Sequence, residues 1–306
     1  LERRVIVIAG PTCSGKTSLG LGVAKKLDTE IISADSRQIY KFLNIGTAKP
    51  SREELASVKH HFIDYLNLEE TYNVSRYEHD ALSIIERLFN EKKIPVVVGG
   101  SGLYIKALVD GIFDNVDTDK EFRKELLNLR NERGNEYLYN ELRKVDSESA
   151  DNMLPQNWKR VIRALEVFHA TGKTIWSLHQ EHKRNSDIDF IQYGLAWDRS
   201  ILYKNIEHRV DVMIEKGLVE ETREILGKFK NNDLNALNTV GYKEIISYLN
   251  NEVPLERAIE LIKRNTRRYA KRQLTWFRKD KRIKWFNVGG EEDLQLIEEK
   301  IIKDFE

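Results

Sequence analysis

The stretch Val5-Ile6-Val7-Ile8-Ala9-Gly10-Pro11-Thr12-Cys13-Ser14-Gly15-Lys16-Thr17 decides the fold class. Its first five residues are a continuous apolar run, mostly β-branched, as expected of a strand buried on both faces. Glycine, four residues and Gly-Lys-Thr then satisfy the phosphate-loop pattern, and the run from Thr17 to Leu27 reads as the helix that should follow it. Backbone N–H groups of such a loop converge on phosphate oxygens at the helix N-terminus; Lys16 adds a positive charge, and the Thr17 hydroxyl can hold a magnesium ion. Gly10, Pro11, Thr12, Cys13, Ser14, Gly15, Lys16 and Thr17 therefore predict a site for a diphosphate or triphosphate. They leave open which phosphate ester binds and what becomes of it.

Outward from this loop, Glu30 to Ser33 reads as a second strand, Tyr77 to Phe89 as a helix, and Ile94 to Val98 as a third strand ending in Gly99-Gly100. β-Branched strands separated by helices predict an α/β fold with a parallel sheet covered on both faces. In such a sheet ligands sit beyond the carboxyl ends of the strands. That rule gathers the first loop, Asp35 and Gly99 to Ser101 around one site. From Asp117 to Lys183 strand signals vanish and helical patterns take over, with Pro155 separating two helices, which predicts an α-helical insertion domain at 117–183 within a core made of 1–116 and 184–306. Phe190 to Ala196 reads as a return strand. Helices are expected across Ile201 to Lys216, Val219 to Phe229, Tyr242 to Leu249 and Leu255 to Lys279, then a terminal strand near Ile283 to Asn287.

The chain has 306 residues, 32% of them charged, with a net charge of +1, so any affinity for nucleic acid must come from local clustering of charge. Its single cysteine excludes an intramolecular disulfide and a multi-cysteine zinc site, and predicts a reducing cytoplasm. No apolar run reaches membrane-spanning length and no stretch reads as a secretory leader. Leu1 in place of Met predicts a few residues upstream of it. The lack of a heptad seam predicts a monomer.

Three constellations carry chemistry. Asp35, in Ser33-Ala34-Asp35-Ser36-Arg37-Gln38-Ile39-Tyr40, follows the second strand, where a carboxylate can remove a proton from a nucleophile or reach magnesium through water. Gly99-Gly100-Ser101-Gly102-Leu103-Tyr104 is a second glycine-rich turn; Ser101 there can donate to a bridging oxygen as it gathers charge on leaving. Between Ile262 and Phe286 basic residues dominate, and Arg264, Arg268, Lys271 and Arg272 share one helical face, with Gln273 and Phe277 on or near the opposite one. With Tyr269, Trp276 and Trp285 nearby, that face suits an RNA backbone and unstacked bases. Lys159, Arg160 and Arg163 form a second basic patch. His60-His61 is expected in a turn or at the surface, Cys13 as a small residue tolerated in the loop, and Trp158, Phe168 and Trp176 in the core of the insertion.

Together these segments resemble the bacterial-type tRNA dimethylallyltransferases, also called tRNA isopentenyltransferases. Besides the phosphate loop and Asp35 to Tyr40, the resemblance rests on Asn44-Ile45-Gly46-Thr47-Ala48-Lys49-Pro50 and Val97 to Tyr104. It continues through Arg163-Ala164-Leu165-Glu166-Val167, Thr239-Val240-Gly241-Tyr242-Lys243 and Lys271-Arg272-Gln273-Leu274-Thr275-Trp276. It implies a P-loop NTPase-like fold and transfer of a dimethylallyl group from dimethylallyl diphosphate to N6 of the adenosine just 3′ of the tRNA anticodon. It further implies that Gly10 to Thr17 hold the diphosphate with Mg2+, that Asp35 is the general base, that Ser101 meets the bridging oxygen, and that Arg123 lies near diphosphate and tRNA. The implied tRNA contacts are Asp35, Ser36, Arg37, Gln38, Lys159, Arg160, Arg163, Thr239, Gly241, Lys243, Lys271, Arg272, Gln273, Trp276 and Arg278. Ser101 stands where the family often has Thr, and Gln156-Asn157 departs from its usual segment. The competing readings are an adenylate isopentenyltransferase making free cytokinins, a small-molecule kinase, and an RNA-binding protein switched by nucleotide.

Overall fold

Val5, Ile6, Val7 and Ile8 are fully buried, and with about 1.5–3 kcal/mol for each such side chain removed from water this run anchors the centre of the sheet. A computed structural model describes residues 2–112, 119–181, 187–229 and 234–305. They fall into two compact units, Leu1–Leu108 with Ser186–Glu306, and Val109–Asn185. The expected insertion limits at 117 and 183 lie outside the described residues.

The chain runs through β1 (Arg4–Ala9), α1 (Lys16–Lys26), β2 (Ile31–Ala34), α2 (Arg52–Ser57), β3 (His60–His61), α3 (Val74–Asn90), β4 (Val96–Gly99) and α4 (Gly102–Asp110). Next come α5 (Lys120–Val145), α6 (Ser147–Asp151), α7 (Trp158–Thr171) and α8 (Ile175–Glu181). Then follow β5 (Asp189–Trp197), α9 (Arg199–Glu215), α10 (Leu218–Lys228), α11 (Tyr242–Leu249), α12 (Leu255–Phe277), β6 (Lys284–Val288) and α13 (Glu291–Lys303). The six-stranded sheet has the order β3-β2-β4-β1-β5-β6, and every pairing in it is parallel. Its side chains meet Leu19 and Val23 of α1 and Ile297 and Ile301 of α13 in one core.

Register positions the site. Ala9 pairs with Gly99, and Gly99 with Ala34, so β1, β4 and β2 end level with one another at the carboxyl edge of the sheet. Close approach at this level requires glycine: a Cβ on Gly99 would press into the carbonyl oxygen of Ala34, a backbone atom that cannot turn aside. Gly99→Ala is expected to lower the unfolding free energy by about 3 kcal/mol, the upper range for overpacking, read as a fall in the urea midpoint at constant slope.

The structure shifts some expected boundaries. β4 starts at Val96 because Pro95 has no N–H for the ladder. α3 starts at Val74, where the Asn73 side chain accepts from Arg76 N and caps the helix. Outside the insertion three helices that the sequence pattern did not predict are present among the described residues, α2, α4 and α13, and within it α6 and α8. His60 and His61 are neither turn nor surface; they form a short edge strand paired with Ile31 and Ile32, and His61 Nε2 lies 2.6 Å from Glu30 Oε2.

In the second unit Leu126, Leu138, Leu142, Val161, Ile162 and Leu165 form the core of a helical bundle. Gly134 breaks α5 with φ 84°, a conformation that costs glycine nothing. Trp158 packs against this core as expected, with the Arg130 guanidinium 4.0 Å from its ring centroid. Trp176 corrects the expectation, being 36% exposed, and Phe168 is half-buried outside the cluster.

Candidate active site

The phosphate loop is held open by packing from outside. Cys13 adopts φ 62° and Gly15 φ 83°, left-handed conformations that are unfavourable for Cys13 and free for Gly15. Burial of Cys13 against Leu202, Ile206 and Ala270 holds it there, which gives this small residue a packing role. Trp197 Nε1 donates to Ser14 O at 2.9 Å. The loop delivers α1 with no acidic residue in its first turn and no side-chain cap, so the N–H groups and positive dipole end of the helix stay available to an anion. Ser14 Oγ is buried without a partner among the described residues. Thr17 lines the adjoining cavity, where its hydroxyl fits the small, phosphate-sharing coordination that magnesium takes.

Asp35 sits one residue past β2 with two distinct oxygens. Oδ1 accepts from Arg37 N at 2.8 Å and Gln38 N at 3.2 Å, an Asx turn that fixes the carboxylate. Oδ2 has no partner among the described residues and is available to a proton. Ser101 ties its own turn to this one: its N–H donates to Ala34 O at 3.0 Å, and its Oγ accepts from Ser36 N at 3.0 Å. Because Oγ accepts there, its proton is left to donate elsewhere.

A cavity of about 520 Å³ opens between these elements, lined by Thr12, Lys16, Thr17, Asp35, Gly99 and Arg209 among others. Arg209 escaped the sequence reading. It comes from the middle of α9, and its Nη1 lies 3.5 Å from Thr12 Oγ1. Burial lowers the pKa of Lys16 to about 8, with Asp35 opposing the shift and Arg209 adding to it. Two cations and a carboxylate thus meet at the end of the sheet.

The Asn44 to Pro50 segment forms another wall, and the structure explains its residues. The Glu221 carboxylate accepts from Ile45 N at 3.0 Å and from Asn44 N at 3.2 Å, while the Tyr242 hydroxyl donates to Glu221 at 2.6 Å and accepts from Gly46 N at 3.1 Å. Gly46 approaches the Tyr242 ring so closely that a Cβ would collide with it. From the other side Gln38 Nε2 donates to Thr47 O and Ala48 O, each at 3.1 Å. Lys49 donates to Tyr40 O at 2.6 Å and pairs with Asp64; burial lowers its pKa despite that pair. The segment is a braced cavity wall.

The remaining residues divide sharply. Lys271, Arg272 and Arg278 are exposed, and Trp276 is 38% exposed above Gly102. Farther back in α12 two of the basic residues are paired, Lys263 with Asp211 at 2.6 Å and Arg267 with Glu207 at 2.6 Å. Thr239 and Gly241 are buried rather than facing outward: Thr239 Oγ1 donates to Ala236 O at 2.6 Å, and Gly241, at φ 104°, is capped by Glu244. Lys243 lines the cavity. Arg37 is half-buried and donates to Asn235 O at 2.8 Å. Gln273 is 6% exposed and lines the same cavity, and both ends of its amide bond main-chain atoms. In the second unit Lys159 and Arg160 are exposed, Arg163 lies 4.0 Å and Arg123 3.4 Å from buried Glu166. The described partner of Arg123 is thus Glu166.

Comparison with known proteins agrees with this geometry. The family described as IPP transferase matches residues 38–280. The tRNA dimethylallyltransferase of Alkaliphilus oremlandii is 44% identical over 306 residues, covering 100% of this chain and 98% of that protein. The crystal structure of the tRNA isopentenylpyrophosphate transferase from Bacillus halodurans superposes with a TM-score of 0.72 at 36% identity, covering 98% of this chain and 96% of that one. A eukaryotic dimethylallyltransferase whose structures are described as acting on tRNA gives a TM-score of 0.80 at 29% identity, over 93% of this chain and 74% of that one. With its parallel sheet, phosphate loop and braced Asn44 to Pro50 wall, this chain belongs to the IPP transferase family, that of the tRNA dimethylallyltransferases.

Proposed function

We propose that this chain, a prenyltransferase, moves the dimethylallyl group of dimethylallyl diphosphate to the exocyclic N6 of the adenosine 3′-adjacent to the tRNA anticodon, position 37, giving N6-isopentenyladenosine. The observation that supports the reading is the shared level of β1, β2 and β4, beside a cavity lined by Lys16, Thr17, Asp35 and Gly99, with Ser101 bonded to Ser36 N next to Asp35. Lys16, Arg209 and the free N–H groups of α1 hold the diphosphate. Asp35 Oδ2 accepts the amine proton as the new N–C bond forms. The allylic C–O bond breaks, its electron pair leaves on the diphosphate, and the Ser101 hydroxyl donates to that bridging oxygen. The Thr17 hydroxyl would hold Mg2+, which when bound would supply positive charge to the leaving group.

The exocyclic amine of a stacked base is out of reach, so the target adenosine must be extruded into the cavity. Exposed Lys271, Arg272, Trp276 and Arg278 supply a grip on the RNA in this reading, as do Arg123, Lys159, Arg160 and Arg163 of the helical unit. No helix among the described residues is long and apolar enough to cross a membrane. With magnesium and labelled dimethylallyl diphosphate, label is expected to enter an anticodon stem-loop carrying the target adenosine and not free AMP. Equal labelling of the two would replace this reading with cytokinin synthesis, and phosphoryl transfer from ATP with a kinase.

A further inference from the structure

Gln273 joins two loops that lie far apart in sequence. From α12 its Oε1 accepts from Thr12 N at 2.9 Å, inside the phosphate loop, and its Nε2 donates to Gly100 O at 2.9 Å, inside the second glycine turn. The side chain is 6% exposed. Gly100 fits closely around it, since a Cβ there would press into Nε2. One loop offers an N–H and the other a carbonyl, so the bridging group must accept at one end and donate at the other. The amide of glutamine does both whatever the pH, whereas a glutamate of the same length does so only when protonated.

We propose that Gln273 is a positioning residue for prenyl transfer: its amide sets the spacing between the loop that holds the diphosphate and the turn that carries the leaving-group donor. The bond to Gly100 acts one residue before Ser101, whose own bonds reach Ala34 and Ser36 on either side of Asp35. A single buried amide therefore ties Lys16 and Thr17 on one side to Ser101 and Asp35 on the other. Gln273 lines the cavity with both ends of its amide held by main-chain atoms, while its neighbours Lys271 and Arg272 are exposed cations. The inference rests on the functional reading above. A misplacement of about 1 Å at the reacting centre costs on the order of 10²-fold in rate, and loss of the bridge permits a movement of that size.

The test uses the full chain with Gln273→Glu and Gln273→Met. The carboxylate of Gln273→Glu keeps the acceptor for Thr12 N and loses the donor for Gly100 O; when protonated it regains that donor. At pH 8 kcat for Gln273→Glu is expected to fall about 10²-fold, with the ratio to wild type recovering by at least several-fold at pH 6. Gln273→Met keeps the volume, has no donor and should show the loss without pH recovery. Stem-loop affinity, measured by fluorescence anisotropy, stays within about twofold of wild type for both variants, because no RNA contact is removed. Loss confined to stem-loop affinity would make Gln273 an RNA contact and overturn the proposal. So would wild-type kcat in either variant, or a loss that follows the folded fraction in urea without the pH recovery. If the wild type itself labels no stem-loop, the functional reading fails instead.

Discussion

Asp35→Asn is expected to slow prenyl transfer about 10³-fold, within the usual range for a general base, while stem-loop affinity stays within about twofold. The substitution separates two roles that the proposed mechanism gives to different oxygens. Oδ1 bonds Arg37 N and Gln38 N, and the asparagine carbonyl keeps that turn. Oδ2 becomes an NH2 group, which cannot accept a proton. Asp35→Ala removes both, so its additional effect over Asp35→Asn measures the turn, about 1 kcal/mol for such a side-chain-to-backbone bond. Single-turnover kinetics with labelled dimethylallyl diphosphate and a saturating stem-loop isolate the chemical step. A rate for Asp35→Asn within tenfold of wild type would leave the proton to another acceptor and remove Asp35 from the mechanism.

The reach of the sequence depended on whether a signal was local. Val5 to Thr17 announces strand, loop and helix within a few turns of chain, and the level ends of β1, β2 and β4 follow once the strands are parallel. The placing of Asp35 and Ser101 just past the ends of β2 and β4 was therefore legible from the sequence. Arg209 was not. In Glu207-His208-Arg209 it reads as part of a solvated helix face, and only its place on α9 beside the phosphate loop turns it toward Thr12. Gln273 stands in a basic helix and was grouped with RNA contacts; its bridge between two loops was not legible, although a polar residue on the side of Phe277 was itself a hint of burial.

Some signals were present and unread. Ser51-x-x-Glu54 is a capping box, and it does start α2. Leu294, Ile297 and Ile301 repeat at helical spacing in α13, which packs on the sheet core. β3 has two residues, too few for any periodicity, and exists because Ile31 and Ile32 offer it an edge. Charge counting along α12 could not tell that Lys263 and Arg267, off the face shared by Arg264, Arg268, Lys271 and Arg272, find acidic partners on α9.

Lys16→Met should trade function for stability in one substitution. Methionine keeps the unbranched stem and removes the charge, so affinity for magnesium pyrophosphate is expected to fall about 10²-fold, the scale of a lost hydrogen bond to a charged group. The free protein moves the other way. Burial lowers Lys16 to about 8, below the value it regains on unfolding, so between that pH and the ordinary lysine range the unfolded chain binds more protons and wild-type stability rises with pH. Below about 8 the wild type carries the full cost of enclosing an ammonium near Arg209. In metal-free, phosphate-free buffer Lys16→Met should therefore melt above wild type at pH 7, with the gap closing as pH approaches 10. Calorimetric titration with pyrophosphate and a pH series of melting curves read the two effects separately. A variant that binds pyrophosphate as the wild type does would take Lys16 out of the diphosphate clamp, and one that melts lower at pH 7 would show that the enclosed ammonium stabilises the empty loop.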